Sequence, residues 1–270
     1  MMDLSSGDYR WRRSGRPLTL LCLYAAGEWE CVRITLMVEL VLASSSPRRK
    51  QLVALLGLSY SVRPIPVDET PHLAEQPLDY VRRVTQMKAD AYASQPGVMG
   101  PAPESAEPAP ESAELVIAAD TIVVDVSDIL GKPADKQAAI DMLRRLRGRS
   151  HVVCTALVVY NLLTRQQECD LCISHVPMRN YSDAEIERYV ASGDPLDKAG
   201  AYAVQHKGFH PVESFTGCYA SVMGFPLCHV VRTLKKFGAQ PKADVPAACQ
   251  ACLEYHCPIH EAVLRGENIG

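Results

Sequence analysis

The stretch VELVLASSSPRRKQLVALLG, residues 38–57, restricts the fold more than any other part of the chain. VELVLA is a short apolar run that ends in small polar residues, the pattern of a buried strand running into a loop. A helix is expected from Pro47 to Leu56. Ser46 suits its N-cap, Pro47 its first turn, Leu52, Leu55 and Leu56 supply an apolar face, and Gly57 ends it. Strand, loop and helix in immediate succession call for a sheet with helices packed on it. The unit also contains an oddity, because Arg48 and Arg49 stand in the first helical turn. The macrodipole leaves partial positive charge there, so each cation costs about 0.3–1 kcal/mol. A bound phosphate reverses that sign: the N–H groups of Ser46 to Arg49, two guanidinium forks and the Ser44 hydroxyl would converge on one anion. The alternative is that both arginines reach into water or pair with carboxylates.

The remaining pattern extends this unit into an α/β chain. Leu58 to Val62 reads as a second strand, and Pro77 to Ala93 as a helix with Tyr80, Val81, Val84 and Met87 at helical spacing. LVIAADTIVVDV reads as strands on either side of a functional kink at Ala119 to Thr121. Asp135 to Leu146 is a capped helix closed by Gly148. His151 to Tyr160 and Glu168 to Pro177 form a pair of long strands, and Ser182 to Ala191 is another capped helix. The expected fold is a mixed, twisted sheet with flanking helices.

Three segments stand outside that domain, which spans 38–238. Residues 1–37 are an extension in which a basic stretch, RWRRSGRP, precedes the apolar LTLLCLYAAG. That order resembles a targeting segment, but the apolar run is too short to span a bilayer, and Met37 directly before VELVLA favours a misassigned start codon. PAPESAEPAPESAE, residues 101–114, is a tandem copy of seven residues whose Pro, Glu and Ser content cannot bury a core, so 97–114 is expected to be a disordered insertion. From 239 to 270 the pattern decays into a cysteine-rich tail, also expected to be disordered. A net charge of -3 gives no global attraction to a polyanion, so no nucleic-acid partner is expected and phosphate binding must be local. The ten cysteines are scattered, with Cys154, Cys218 and Cys228 among apolar residues, as in a reducing compartment.

Several residues are candidates for chemistry. Asp120 and Thr121 interrupt an apolar run, where a carboxylate at the mouth of a sheet can orient a water or hold a divalent cation while Thr121 touches a ligand. The alternative is a turn residue bonding its own backbone. Glu69 in PVDETP, Lys88 at the end of an apolar helical stripe and Lys132 in LGKPAD are each as readily solvated charges. PLDKAGAYAVQHKG, residues 195–208, mixes charged, small and aromatic residues without period, as in a loop packed closely against something. There Gln205 can read a base edge, and Asp197 and Lys198 can contact metal or phosphate, unless the stretch is only a tight turn. No Walker A frame or GxSxG elbow occurs, and the single CxxC at Cys249 and Cys252, with Cys257, His256 and His260 nearby, is a weak zinc signal.

Taken together, LASSSPRRKQLVALLG, PVDETP, MKADA, AADTIVV, GKP, PLDKAGAYAVQ and VMGFPL, in that order, resemble the Maf family of nucleoside triphosphate pyrophosphatases across residues 38 to about 238. The resemblance implies a fold related to the inosine triphosphate pyrophosphatases, with two lobes around a cleft and frequent homodimers in the cytoplasm. It also implies hydrolysis of nucleoside triphosphates between the α and β phosphates with Mg2+ or Mn2+. Carried over, Asp120 is the proton acceptor. Ser44, Arg48, Arg49, Lys88 and Lys132 contact phosphates, and Glu69 is a further essential acid that, with Asp120, faces the metal. Arg48, Thr121 and Gln205 resemble the branch that prefers dTTP and UTP, with CTP and modified pyrimidine nucleotides as further candidates. Because the family was named for an association with septum formation, a nucleotide-binding regulator of cell division with little turnover is the competing implication. The chain departs from the family at Ala203 and His206, where glycine is usual, so a shifted or strained loop around Gln205 is expected.

Overall fold

The computed structural model describes residues 20–25, 28–33, 37–96, 98 and 112–270. Most of the N-terminal extension and residues 101–111 of the tandem repeat therefore lie outside the described residues. Within the extension, β1 (Leu20–Ala25) and β2 (Glu28–Arg33) pair antiparallel as a separate two-stranded sheet. The last residues of the repeat, Ser112 to Glu114, belong to a strand.

The main sheet is mixed and has six strands. β3 (Met37–Leu42) runs parallel to both β4 (Tyr60–Val62) and β5 (Ser112–Asp125). β5 is antiparallel to β7 (Ser150–Asn161), which is antiparallel to β8 (Gln167–Pro177). The order is β4-β3-β5-β7-β8, with the short β6 (Asp128–Leu130) also on β5. β5 was expected to kink at its polar residues, but it does not. β7 pairs with it residue by residue from Leu115 to Val124, so the ladder is satisfied on that side whatever side chains project from it. What the polar residues mark is a gap on the other side. β3 stops pairing at Ile117 and β6 starts at Val123, leaving Ala118 to Ile122 as an open edge.

Local chemistry accounts for the helices. α1 (Pro47–Ala54) starts at Ser46, whose hydroxyl accepts from the Arg49 N–H, with Pro47 in the first turn. α2 (Pro77–Ala93) presents Tyr80, Val81 and Val84 on one face. α3 (Lys136–Leu146) is capped by Asp135, and α4 (Asp183–Ala191) by a reciprocal Ser182–Glu185 box. α5 (Tyr219–Val222) and α6 (Leu227–Lys236) follow the Gln205 loop.

One sheet face carries two cores. α1 and α6, with Phe225 just before α6, pack Leu52, Phe225 and Leu234 on Leu40, Leu42, Ile117 and Leu157. α3 and α4 pack Leu143 and Ile186 with Tyr181, Phe209 and Val123. These are the two expected lobes. α2 covers the opposite face, where Val81 and Val84 meet Ile122, Val124 and Ala156.

The tail departs from expectation. It forms α7 (Val245–Leu253), capped by Asp244, and α8 (His260–Arg265). Val245 and Val263 are buried, and Arg232 of α6 pairs with Asp170 while donating to the Glu267 carbonyl and the Asn268 side chain. Composition misleads here because a few apolar side chains suffice when α6 already offers a surface. Among the described residues no group of three or more His, Cys, Asp or Glu is placed to hold a metal ion, so the CxxC gains no support as a zinc site.

Candidate active site

The open edge of β5 faces a cleft of about 1100 Å³, bounded by the start of α1, the 64–69 loop, β6 and the 194–205 loop. All eleven candidate residues, Ser44, Arg48, Arg49, Glu69, Lys88, Asp120, Thr121, Lys132, Asp197, Lys198 and Gln205, line this one space.

Strand alternation sends Asp120 and Thr121 to opposite faces of β5, and because the edge is open both reach the cleft. Asp120 projects to the α2 face beside Ile122, where Lys88 rises to meet it. Lys88 Nζ lies 2.7 Å from Asp120 Oδ1 and 2.7 Å from Glu69 Oε1, so a single ammonium ties the carboxylates together. The Lys88 and Asp120 side chains are about nine-tenths buried, whereas that of Glu69 is 53% exposed. Tyr80 of α2 fixes the Glu69 loop by donating its hydroxyl to the Glu69 carbonyl at 2.8 Å. Asp120 Oδ2 makes no hydrogen bond to the described residues and is free to accept from a water.

Thr121 points to the α1 face. Its hydroxyl oxygen accepts from Arg49 Nη2 at 3.1 Å, Arg49 Nη1 reaches Ser44 Oγ at 3.4 Å, and Arg49 Nε donates to the Gly224 carbonyl at 2.8 Å. Three of five guanidinium N–H groups are thereby fixed, leaving two for a ligand. Burial pushes the Arg49 pKa down from its ordinary value, and the Asp120 charge pulls against that shift. Gly224, which motif analysis grouped with VMGFPL without a role, sits at φ +102, and a Cβ there would stand 3.2 Å from Thr121 Oγ1 and 3.4 Å from Arg49 Nε. Only glycine combines that backbone angle with so close an approach.

The helix start offers fewer backbone donors than expected. The Ser46 N–H goes to Ser44 Oγ, Pro47 has none, and the Arg49 N–H goes to Ser46 Oγ. Of those four positions, Arg48 alone keeps a free N–H among the described residues. The Ser44 oxygen accepts twice, so its own proton remains available to an anion.

Across the cleft, Lys198 ties its own loop together. Its ammonium donates to the Asp194 carbonyl at 2.6 Å, Asp194 Oδ1 at 3.0 Å and Asp197 Oδ1 at 2.6 Å, which uses all three hydrogens to knot the loop. The Lys198 hydrogen bond holds the Asp197 carboxyl below the usual range, and the charge of Arg48 across the cleft acts in the same direction. Gln205 is exposed on a turn at the cleft wall. Strain from Ala203 and His206 is absent, since neither has a positive φ. The left-handed residues are instead Gly200 and Ala201. Ala203 donates its N–H to Tyr189 Oη at 2.9 Å, and His206 Nδ1 accepts from the Phe209 N–H at 2.9 Å, so both side chains fit an ordinary turn.

Lys88 and Lys198 are thus neutralised by carboxylates, while Arg48, Arg49 and the exposed Lys132 have no ion-pair partner among the described residues. Three unpaired cations around one buried, water-accessible carboxylate suit a polyanion attacked by water. For a divalent cation the donor set also fits. Glu69 and Asp120 share one neighbourhood, and Mg2+ is ordinarily held by one or two carboxylates with substrate phosphates completing its shell.

Residues 39–237 match the family model described as Maf-like protein. A dTTP/UTP pyrophosphatase of Dehalococcoides mccartyi is 41% identical over 204 residues, covering 76% of this chain and 84% of that protein. One from Pelotomaculum thermopropionicum is 40% identical over 202 residues, covering 75% and 98%. Among solved structures, the Staphylococcus aureus Ham1 protein aligns over 80% of this chain and 98% of its own at 13% identity and a TM-score of 0.37, too distant a likeness to inform the site.

Proposed function

The chain belongs to the Maf family, and from that premise we propose that it is a nucleoside triphosphate pyrophosphatase that hydrolyses dTTP and UTP to the monophosphate and pyrophosphate. The observation that carries the proposal is the cleft itself, where three cations without ion-pair partners among the described residues surround a buried carboxylate whose second oxygen has no hydrogen-bond partner among them. The triphosphate lies across the start of α1, against the two free N–H groups of Arg49, the Arg48 side chain and N–H, and the Ser44 hydroxyl. Lys132 closes on it from the β6 side. Asp120 Oδ2 takes the proton of a water aimed at the α phosphorus, and Lys88 holds Asp120 in place through Oδ1. Glu69, tied to the same ammonium, stands with Asp120 where a Mg2+ or Mn2+ ion would be held. When bound, such an ion would neutralise phosphate charge and orient the leaving pyrophosphate.

Arg48, Thr121 and Gln205 surround the same space, and the exposed Gln205 amide would read a pyrimidine edge. A homodimer and a cytoplasmic location come with the family resemblance and belong to the same proposal. Among the described residues no helix is long and apolar enough to cross a membrane.

The test is incubation with dTTP, UTP, CTP and purine triphosphates in Mg2+, with separate detection of pyrophosphate and orthophosphate. Pyrophosphate from dTTP and UTP, lost by a factor on the order of 10² or more in Asp120→Asn, is expected. Orthophosphate as the first product, or a tight nucleotide complex that yields neither pyrophosphate nor orthophosphate, would overturn the proposal, the second outcome in favour of a nucleotide-binding regulator.

A further inference from the structure

Behind Thr121 stands a residue that no motif singled out. Thr155 is fully buried on β7, directly across the ladder from Thr121. Its hydroxyl lies 2.9 Å from Thr121 Oγ1 and 2.9 Å from the Ser221 carbonyl. A carbonyl only accepts, so the single Thr155 proton goes to Ser221. The proton between the two threonines must then come from Thr121, whose oxygen is left to accept from Arg49 Nη2. The chain has one direction: Arg49 to Thr121 to Thr155 to the Ser221 carbonyl. A second arm closes it, because Arg49 Nε donates to the Gly224 carbonyl and the Gly224 N–H donates at 2.8 Å to the same Ser221 carbonyl.

We propose that Thr155 is a positioning residue of the triphosphate site: its buried hydroxyl takes the Thr121 proton, turns a Thr121 lone pair toward Arg49, and so holds the guanidinium with the two N–H groups that have no partner among the described residues toward the cleft. This rests on the proposed phosphate role of the cleft. Thr121 then acts on the ligand through Arg49, since its own proton is committed inward. Without the Thr155 hydroxyl, the Thr121 proton loses its acceptor, the hydroxyl turns, and Arg49 keeps its Gly224 bond and the long 3.4 Å contact to Ser44 Oγ but loses Thr121. A guanidinium held less firmly after losing this bond binds the anion in ground and transition states alike less well, so KM is the parameter that moves.

The experiment compares the full chain with Thr155→Val, Thr155→Ser, Thr121→Val and the Val/Val double variant. It reads kcat and KM for dTTP, the Kd for tripolyphosphate by calorimetry, and thermal unfolding. Thr155→Val should raise both the KM and the tripolyphosphate Kd by about tenfold, as for one lost charge-assisted bond, with kcat changed by less than about threefold. Thr155→Ser, which keeps the hydroxyl, should stay within about twofold of the unsubstituted chain. Thr121→Val should match Thr155→Val, and the double variant should lose no more than either, because both cut one chain. An unchanged Kd in a folded Thr155→Val, or a Thr155→Ser as weak as Thr155→Val, overturns the proposal, the latter by assigning the effect to the methyl group. A Thr155→Val that fails to fold leaves the decision to Thr155→Ser and Thr121→Val. If the unsubstituted chain releases no pyrophosphate, the enzymatic reading falls while the tripolyphosphate measurement still judges Thr155.

Discussion

Replacing Lys88 by methionine removes one charge from between two carboxylates that are equally near it and unequally wet. Both contacts are 2.7 Å, but the Asp120 side chain is 12% exposed and that of Glu69 is 53% exposed. At an effective dielectric of 20, two unit charges at that separation attract by about 6 kcal/mol, most of it offset by the desolvation of both ions. In bulk water the attraction is only about 1.5 kcal/mol. Breaking a buried pair by removing one partner costs about 3–5 kcal/mol, and an exposed pair is worth at most about 1. Lys88→Met should therefore destabilise the protein by about 3 kcal/mol, because Glu69 can turn into water while Asp120 cannot. That corresponds to a fall in Tm of about 6–12 °C. Double-mutant cycles in urea, with Asp120→Asn and Glu69→Gln as the second changes, should give a Lys88–Asp120 coupling of about 3 kcal/mol and a Lys88–Glu69 coupling below about 1. Equal couplings, or a Lys88→Met loss under about 1 kcal/mol, would refute the claim that burial rather than distance ranks the two contacts.

Two further outcomes follow from particular side chains. Gly224→Ala places a methyl group 3.2 Å from Thr121 Oγ1 at φ +102; the strain should cost about 1–3 kcal/mol by urea unfolding and raise KM for dTTP, and an unaltered KM would show that Arg49 does not depend on this close approach. His151 Nε2 lies 2.8 Å from the Tyr202 hydroxyl, and burial pushes its pKa down to about 4 from the ordinary 6.5. Between those values the unfolded chain binds the extra proton, so stability falls as pH drops, by about 2.5 kcal/mol between pH 7 and 4.5. Glu75 and Glu185, held at about 2 by Arg83 and by the Ser182 N–H respectively, add their own losses only below about 4.5. Urea midpoints should lose this slope in His151→Gln, and an identical slope in that variant would place the proton elsewhere.

Much of the site was legible before folding because its chemistry is written in residue type. Arginines at a helix start, an aspartate inside an apolar strand and a lysine ending an apolar stripe are each locally unfavourable, and the cleft brings all of them together. Gln205 lies on a turn beside that cleft, while the strain expected from Ala203 and His206 did not appear, since φ depends on how a loop closes. Gly224 and Thr155 went unassigned for the opposite reason. A glycine in a loop and a threonine in a strand are ordinary choices until a neighbour from elsewhere in the chain comes within reach.

From β3 to α4 most elements followed from spacing alone, the short β6 excepted, since the caps at Ser46, Asp135 and Ser182 and the apolar periods act within a few residues. The same short-range chemistry marked Arg48 and Arg49 as unfavourable at a helix start unless an anion binds there, and Asp120 as out of place in an apolar strand. Tertiary structure decided which charge balances which: Lys88 with Asp120, Lys198 with the loop carboxylates, and the arginines left free. It also decided that β3 ends five residues before β6 begins on β5, opening the edge where Asp120 and Thr121 look out. A strand's length can be read from its own residues, but where its neighbour stops depends on how far the neighbour's loop turns away. That turn is fixed by packing between segments remote in sequence.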